Sequence, residues 1–271
     1  MFGFIRKVFN PTPVGFPARS TRVFGSDDIR PGEAEALRNF PLSALDPPSD
    51  LRSDTGWDQF WRGRIEQPLI RRMEEAMDLA LCRDQRRALV ATMRREGWQS
   101  VLCVGNGLSG EAAALADAGF AVTALDRSSL AIAHAPPATP DPPPFAAYFG
   151  EAFSRTGGSL RFVHGDLFEA QVCPGPFDVI IERRTLQLWS RLAPIVDGDD
   201  CDRGLSAVTA RMADPGLVVS HQHMGTWRPG QSRQHFAHRW LQDRGFLIAS
   251  DWAPGEPGRP GRRAWLMVTS G

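Results

Sequence analysis

The segment Val101-Leu102-Cys103-Val104-Gly105-Asn106-Gly107-Leu108-Ser109-Gly110 constrains the fold more than any other part of the chain. It joins a short apolar run to a glycine turn, and the alanine-rich stretch from Glu111 to Ala118 follows. A run with no polar face reads as a strand buried on both sides, which occurs in parallel sheets covered by helices. Gly105, Gly107 and Gly110 fit G-x-G-x-x-G. Glycines there let the backbone approach a ligand and present amides at a helix start. A tight strand-to-helix turn with no ligand would use the same residues.

The alternation continues downstream. Strands are expected at 120–125, 159–164, 177–182, 217–221, 246–249 and 264–268, with helices near 202–212 and 232–243. Asp214-Pro215-Gly216 reads as a turn before the fifth strand. The last two strands are separated by Pro254-Gly255-Glu256-Pro257-Gly258 with no helical segment, so they are expected to pair antiparallel. The expected fold class is therefore α/β: a Rossmann-like sheet of seven strands with an antiparallel terminal strand and an N-terminal helical extension.

Three segments are expected. Residues 1–55 are broken by Pro11, Pro13, Pro31, Pro47 and Pro48, and form a partly irregular arm with a short helix near 33–38. Residues 56–97 form a helical cap, with Trp57, Phe60, Trp61, Ile65, Leu69, Met73 and Met77 at roughly helical spacing and a second run from Asp84 to Gly97. Residues 98–271 form the α/β domain.

Charge narrows the partners. Lys+Arg and Asp+Glu each number 31, so no global field draws the chain to nucleic acid or an anionic membrane. No apolar run approaches the roughly 20 residues that span a bilayer. The 4 cysteines lack CxxC spacing, and the first residues lack the apolar core of a leader. Reduced thiols in a cytoplasmic protein are the expectation.

Two acids follow strands. Asp126 closes the second strand about twenty residues after Gly105, where a carboxylate accepts hydrogen bonds from ribose hydroxyls. Ser128 and Ser129 beside it could instead cap a helix. Up to this point NAD and S-adenosylmethionine fit equally. Asp166 follows the third strand in Gly165-Asp166-Leu167-Phe168, where it can accept from an adenine amino group, with Leu167 or Phe168 against the ring.

In the order of these pieces, the region from Trp98 to Thr269 resembles the class I S-adenosylmethionine-dependent methyltransferases. The resemblance implies a sheet in the order 3-2-1-4-5-7-6 with strand seven antiparallel. It implies that Gly105, Asn106 and Gly107 hold the methionine part and ribose, Asp126 with Arg127 the ribose, and Asp166 with Leu167 the adenine. This chain departs from the pattern at Cys103, where the family usually has an acid, and at Ser109, where it usually has a glycine. Glu111 or a backbone carbonyl would then meet the cofactor's amino group. A narrower segment, Phe177 to Leu186 with Glu182-Arg183-Arg184, is similar to the acid-arginine stretch of thiopurine methyltransferases, as is the Trp57–Trp61 region.

Ligands of open α/β sheets lie beyond the carboxyl ends of strands. The expected catalytic candidates there are His221 and His223, one of which could act as general base, and Glu182, which could orient an acceptor or contact the cofactor. Arg183 could hold an anionic group, and Trp57, Trp61 and Trp227 could wall the acceptor pocket. A surface ion pair, a polar strand end or a packed amphipathic helix would use the same residues. His-x-His is not read as a metal site, since no further ligand spacing supports one. Asp141-Pro142-Pro143-Pro144-Phe145 resembles a signature of methyltransferases acting on nucleic acid bases, but it lies between strands two and three rather than after strand four. The expected activity is methyl transfer to a small-molecule N, O or S nucleophile. A peptide or protein acceptor, or a catalytically inactive binding module, is the alternative.

Overall fold

The computed structural model describes residues 48–50, 52–68, 70–71, 83–135, 158–183, 185, 199–223, 247–248 and 263–270, with residues 32 and 35. The described elements are α1 (Asp54–Ile65), α2 (Arg83–Glu96), β1 (Ser100–Val104), α3 (Glu111–Asp117), β2 (Ala121–Asp126), α4 (Ser129–His134), β3 (Ser159–His164), β4 (Phe177–Arg183), α5 (Asp199–Thr209), β5 (Met212–His223), β6 (Leu247–Ile248) and β7 (Arg263–Ser270). The strands hydrogen-bond in the order β3-β2-β1-β4-β5-β7-β6. From β3 to β5 every pairing is parallel.

Both faces of this sheet are covered, as an all-apolar β1 requires. Val101, Cys103, Val122, Ala124, Val179, Ile181, Leu217 and Val219 point to one face and pack with Leu89, Val90 and Met93 of α2 and Ala112 and Leu115 of α3. Leu102, Val104, Leu125, Ile180 and Val218 point to the other and meet Val208 of α5, Leu167, Phe177 and Met212. Each fully buried Leu or Val contributes roughly 1.5–3 kcal/mol.

Glycines end the helices that feed the sheet. Gly97 has φ +72°, Gly97 N donates to Arg94 O and Trp98 N to Met93 O. This crossed pair of bonds closes α2 and turns Trp98 toward β1. Gly119, at φ +103°, does the same after α3 through Ala116 O and Leu115 O.

The terminal strands depart from expectation. β7 pairs parallel with both β5 and β6. The fourteen residues between Ile248 and Arg263 exceed the dozen or so that a parallel return needs, so the lack of a helical segment did not require a hairpin. Three smaller differences also arise. The helical run expected from Trp57 onward breaks at Glu66–Gln67, because the residue before Pro68 disfavours helical backbone. The expected turn at Asp214-Pro215-Gly216 lies inside β5, where the ladder with β4 shifts register between Phe177 and Val179. A short helix, α4, follows Ser128, whose hydroxyl caps it. The expected helices at 33–38 and 232–243, Trp227, and the Pro-rich stretch from Pro136 to Pro144 lie outside the described segments.

Candidate cofactor site

The sheet register gathers the candidate residues at one end. Val104 at the end of β1 pairs with Leu125 of β2 and with Glu182 of β4. The glycine loop therefore leaves β1 between Asp126 on one side and Glu182 on the other. This is also where the strand order reverses, the usual crevice for ligands in such sheets.

The loop is built on β2. Gly105 N and Asn106 N both donate to Leu125 O, at 3.0 and 3.2 Å. Gly105 and Gly107 adopt φ +65° and +53°, a conformation that favours glycine. The buried Asn106 amide donates to Gly107 O and Ser109 O, bracing the turn. Ser109, at the missing glycine, accepts Glu111 N on its hydroxyl at 3.1 Å and so serves the start of α3. Cys103 is buried on the α2–α3 face, where burial pushes its thiol up. Glu111 is also buried and pairs with Arg86 Nε at 2.9 Å, both side chains being almost fully enclosed. That pairing directs Glu111 toward α2.

Asp126 is the best-defined acid. It is 7% exposed, its Oδ2 accepts Gly107 N at 2.7 Å and its Oδ1 accepts Ser128 N at 2.8 Å. Burial pushes the carboxyl up, while the amides of Ser128, Gly107 and Arg127 favour the ionised form. A carboxylate has about four acceptor positions. The amides of Gly107, Ser128 and Arg127 use most of these, and what is left suits a ribose hydroxyl.

Asp166 lies next in the row. Its Oδ1 accepts Phe168 N at 2.9 Å and its Oδ2 accepts Arg127 Nη1 at 2.8 Å. Arg127 also reaches Asp54 of α1 through Nε at 2.7 Å. Both pairs are partly exposed, and such pairs are individually weak. Leu167 is buried in the second core layer, while half-buried Phe168 packs against that layer beneath Arg203. The loop after Asp166 is held by Arg211, whose guanidinium donates to the carbonyls of Glu169, Val172, Cys173 and Ala207.

Glu182 is fully buried, and its Oε2 accepts the Ser220 hydroxyl at 2.7 Å. Glu182 and Ser220 are register partners, and the next pair is Arg183 with His221. His223 runs past the end of β4 and pairs with Ser270 of β7. The ladder thus sets Glu182 and His221 one step apart on neighbouring strands.

Helix α1 packs over the glycine loop. Trp61, Leu108 and Ala131 form a small core with Phe60, Ile65 and Leu130. Trp57, Phe60 and Trp61 stack edge to face at 5.2 and 5.1 Å, and the Arg64 guanidinium lies 3.4 Å above the Phe60 ring. Asp58, which no motif contained, ties α1 to α4. Its Oδ1 accepts Ser128 Oγ and Leu130 N, and its Oδ2 accepts Ser129 Oγ. The one sequence signal for it is the Ser128-Ser129 pair, which predicts a helix start but not its distant partner.

Among the described residues no group of three or more His, Cys, Asp or Glu could hold a metal ion. No described helix is long and apolar enough to cross a membrane. Cys103 and Cys173 are free and buried.

No protein-family model matches the chain, and no curated protein matches it. Solved structures do. Magnesium protoporphyrin IX methyltransferase from Synechocystis PCC 6803 with bound SAM is 12% identical over 84% of this chain and 89% of its own, with a TM-score of 0.38. A TehB-like SAM-dependent methyltransferase from Corynebacterium glutamicum is 18% identical over 56% and 71%, with a TM-score of 0.37. The plantazolicin methyltransferase BpumL in complex with SAH is 14% identical over 69% and 58%, with a TM-score of 0.35. The chain spans less than half the length of some others, such as 46% of a protein of echinomycin biosynthesis and 49% of a Methanosarcina mazei methyltransferase. At identities and TM-scores this low, fold and chemistry rest on the chain's own strand order and residues. By that strand order, and by a glycine loop between β1 and α3 with acids after β2 and β3, the chain has the Rossmann-like fold of the class I S-adenosylmethionine-dependent methyltransferases, with β7 parallel in place of antiparallel.

Proposed function

We propose that this protein is a methyltransferase that binds S-adenosylmethionine and acts on a small-molecule N, O or S nucleophile. The observation that carries the reading is Asp126: a buried carboxylate at the end of β2, oriented by Gly107 N and Ser128 N, with acceptor capacity left for a ribose hydroxyl. A bare structural turn does not need a buried acid there, since burying a carboxylate costs free energy.

The residues divide the work along the strand ends. Gly105, Asn106 and Gly107 would lie along the methionine and ribose, Asp126 would accept from the ribose, and Asp166 from the adenine amino group. The cofactor supplies a methyl group on a cationic sulfonium. Such a displacement needs alignment and a deprotonated acceptor. Glu182, which accepts the Ser220 hydroxyl at the end of β4, would orient the acceptor or contact the cofactor. His221 or His223 would take the acceptor proton where the nucleophile is a hydroxyl or an amine. Arg183, Trp57, Trp61 and Trp227 would contact the acceptor. The half-buried rings of Trp57 and Phe60 on α1 support a small and partly apolar acceptor.

Thermal shift with S-adenosylmethionine and S-adenosylhomocysteine tests this. Ligand at 100 times its Kd stabilises by about 2.7 kcal/mol, a clear rise in Tm. The rise is expected for the wild type and absent in Asp126→Ala. No rise for the wild type with either compound at millimolar concentration refutes the proposal.

A further inference from the structure

The hydrogen bonds around Asp126 continue outward to a residue on another helix. Asp58 Oδ1 accepts Ser128 Oγ at 2.6 Å and Leu130 N at 3.1 Å, and Asp58 Oδ2 accepts Ser129 Oγ at 3.0 Å. Ser128 in turn donates its backbone N–H to Asp126 Oδ1 at 2.8 Å, and its hydroxyl accepts Ala131 N at 3.0 Å. A single residue, Ser128, is thus gripped by α1 on one side and grips the buried acid on the other. The second oxygen of Asp126 takes Gly107 N. Against Gly107 lies the ring of Trp61, one turn along α1 from Asp58. Helix α1 therefore touches two of the donors that orient the Asp126 carboxylate: Ser128 through Asp58, and Gly107 through Trp61.

We infer that Asp58 is a positioning residue of the cofactor site, holding the Ser128 turn so that Asp126 presents its remaining acceptor capacity to the ribose, and coupling the docking of α1 to cofactor occupancy. This inference rests on the S-adenosylmethionine reading above. A carboxylate orients a ligand only as well as its own partners are held, and those partners are backbone amides whose positions depend on the turn. The first turn of α4 is tied to α1 by the three hydrogen bonds to Asp58 and by the packing of Ala131 with Trp61 and Leu108. The coupling is reciprocal by linkage: what α1 does for the cofactor, the cofactor does for α1.

The test uses the full chain and S-adenosylhomocysteine as the probe, with affinity measured by calorimetry at neutral pH. Asp58→Ala is expected to weaken binding about tenfold, the lower end of what loss of an outer partner does at metal sites. Asp58→Asn keeps an oxygen for Ser128 Oγ and Leu130 N, and is expected to restore most of the affinity. Ser128→Ala keeps the N–H to Asp126 but removes the hydroxyl bond to Asp58 and the cap on Ala131 N, leaving Asp58 its bonds from Leu130 N and Ser129 Oγ. It is expected to weaken binding as well, and the double variant is expected to lose less than the sum of the two single losses, because both variants remove the same Ser128–Asp58 bond. In the wild type, saturating probe is expected to slow hydrogen exchange of the α1 amides.

Wild-type affinity in Asp58→Ala, losses that add in the double variant, or α1 exchange unchanged by the probe would each overturn the inference. Should Asp58→Ala not fold, Ser128→Ala and the wild-type exchange measurement decide the matter. Absence of probe binding to the wild type refutes the methyltransferase reading itself. Wild-type binding without these couplings refutes only the role of Asp58.

Discussion

The ring of Trp61 occupies the space that a side chain at Gly107 would need: a Cβ there would lie 2.6 Å from both Cη2 and Cζ2 of the indole. Gly107 also has φ +53°, which strains any other residue. Gly107→Ala is therefore expected to destabilise the protein by about 2–4 kcal/mol, from backbone strain and overpacking together. In a Trp61→Ala background the steric share vanishes, and the same substitution should cost only about 1–2 kcal/mol. Chemical denaturation of the four proteins of this cycle reads the difference. Equal costs in the two backgrounds would mean that the indole yields freely.

The docking of α1 should depend on pH through Asp58. Partial burial raises its carboxyl, but hydrogen bonds from Ser128, Leu130 and Ser129, with the nearby His164, outweigh this and hold it below the ordinary carboxylate value. A carboxyl depressed in the folded state adds stability at pH above its unfolded value. That stability is lost as pH falls through the folded value. The stability gap between wild type and Asp58→Asn should thus be constant from neutrality down to about pH 5, then narrow below about pH 4. Denaturation midpoints at four or five pH values check this. A gap that narrows near neutrality would assign the effect to another group.

Arg211 is 4% exposed and satisfies carbonyls from Glu169, Val172, Cys173 and Ala207. Arg211→Ala removes the guanidinium from these oxygens, of which Glu169 O keeps the Val172 N–H, and should cost about 3 kcal/mol. Arg211→Lys should recover little, because an ammonium cannot reproduce the planar fork. The 169–173 loop follows Asp166, so probe affinity should fall as well as stability. A variant stable to within about 0.5 kcal/mol of wild type would show that water replaces the guanidinium readily.

The ion pair of Arg86 and Glu111 lies inside the protein, between α2 and the start of α3. Removing one partner takes compensation from the other buried charge, so Glu111→Gln should destabilise by up to about 3–5 kcal/mol. An Arg86→Met, Glu111→Leu double variant should recover much of this, since apolar replacement of a buried pair is often neutral. Urea denaturation distinguishes the two. A double variant as unstable as the single would show that the pair contributes more than mutual neutralisation.

Local residue order determined a good part of this protein. The apolar β1, the helix stops at Gly97 and Gly119, the turn at Gly105–Gly107 and the acids after β2 and β3 are all set by residues within a few positions of one another. Backbone sterics and the periods of helix and strand act at that range, so these features were legible. Tertiary structure decided the rest. The direction of β7 depends on how the fourteen residues before it return, and that length serves either direction. Asp58 meets Ser128 across 70 positions, and Arg127 meets Asp54 across 73. Nothing near Asp58 in the chain marks it as different from any exposed helix carboxylate. Its role arises only because burial of Trp61 against Leu108 and Ala131 brings α1 down onto the glycine loop, within hydrogen-bond reach of the start of α4.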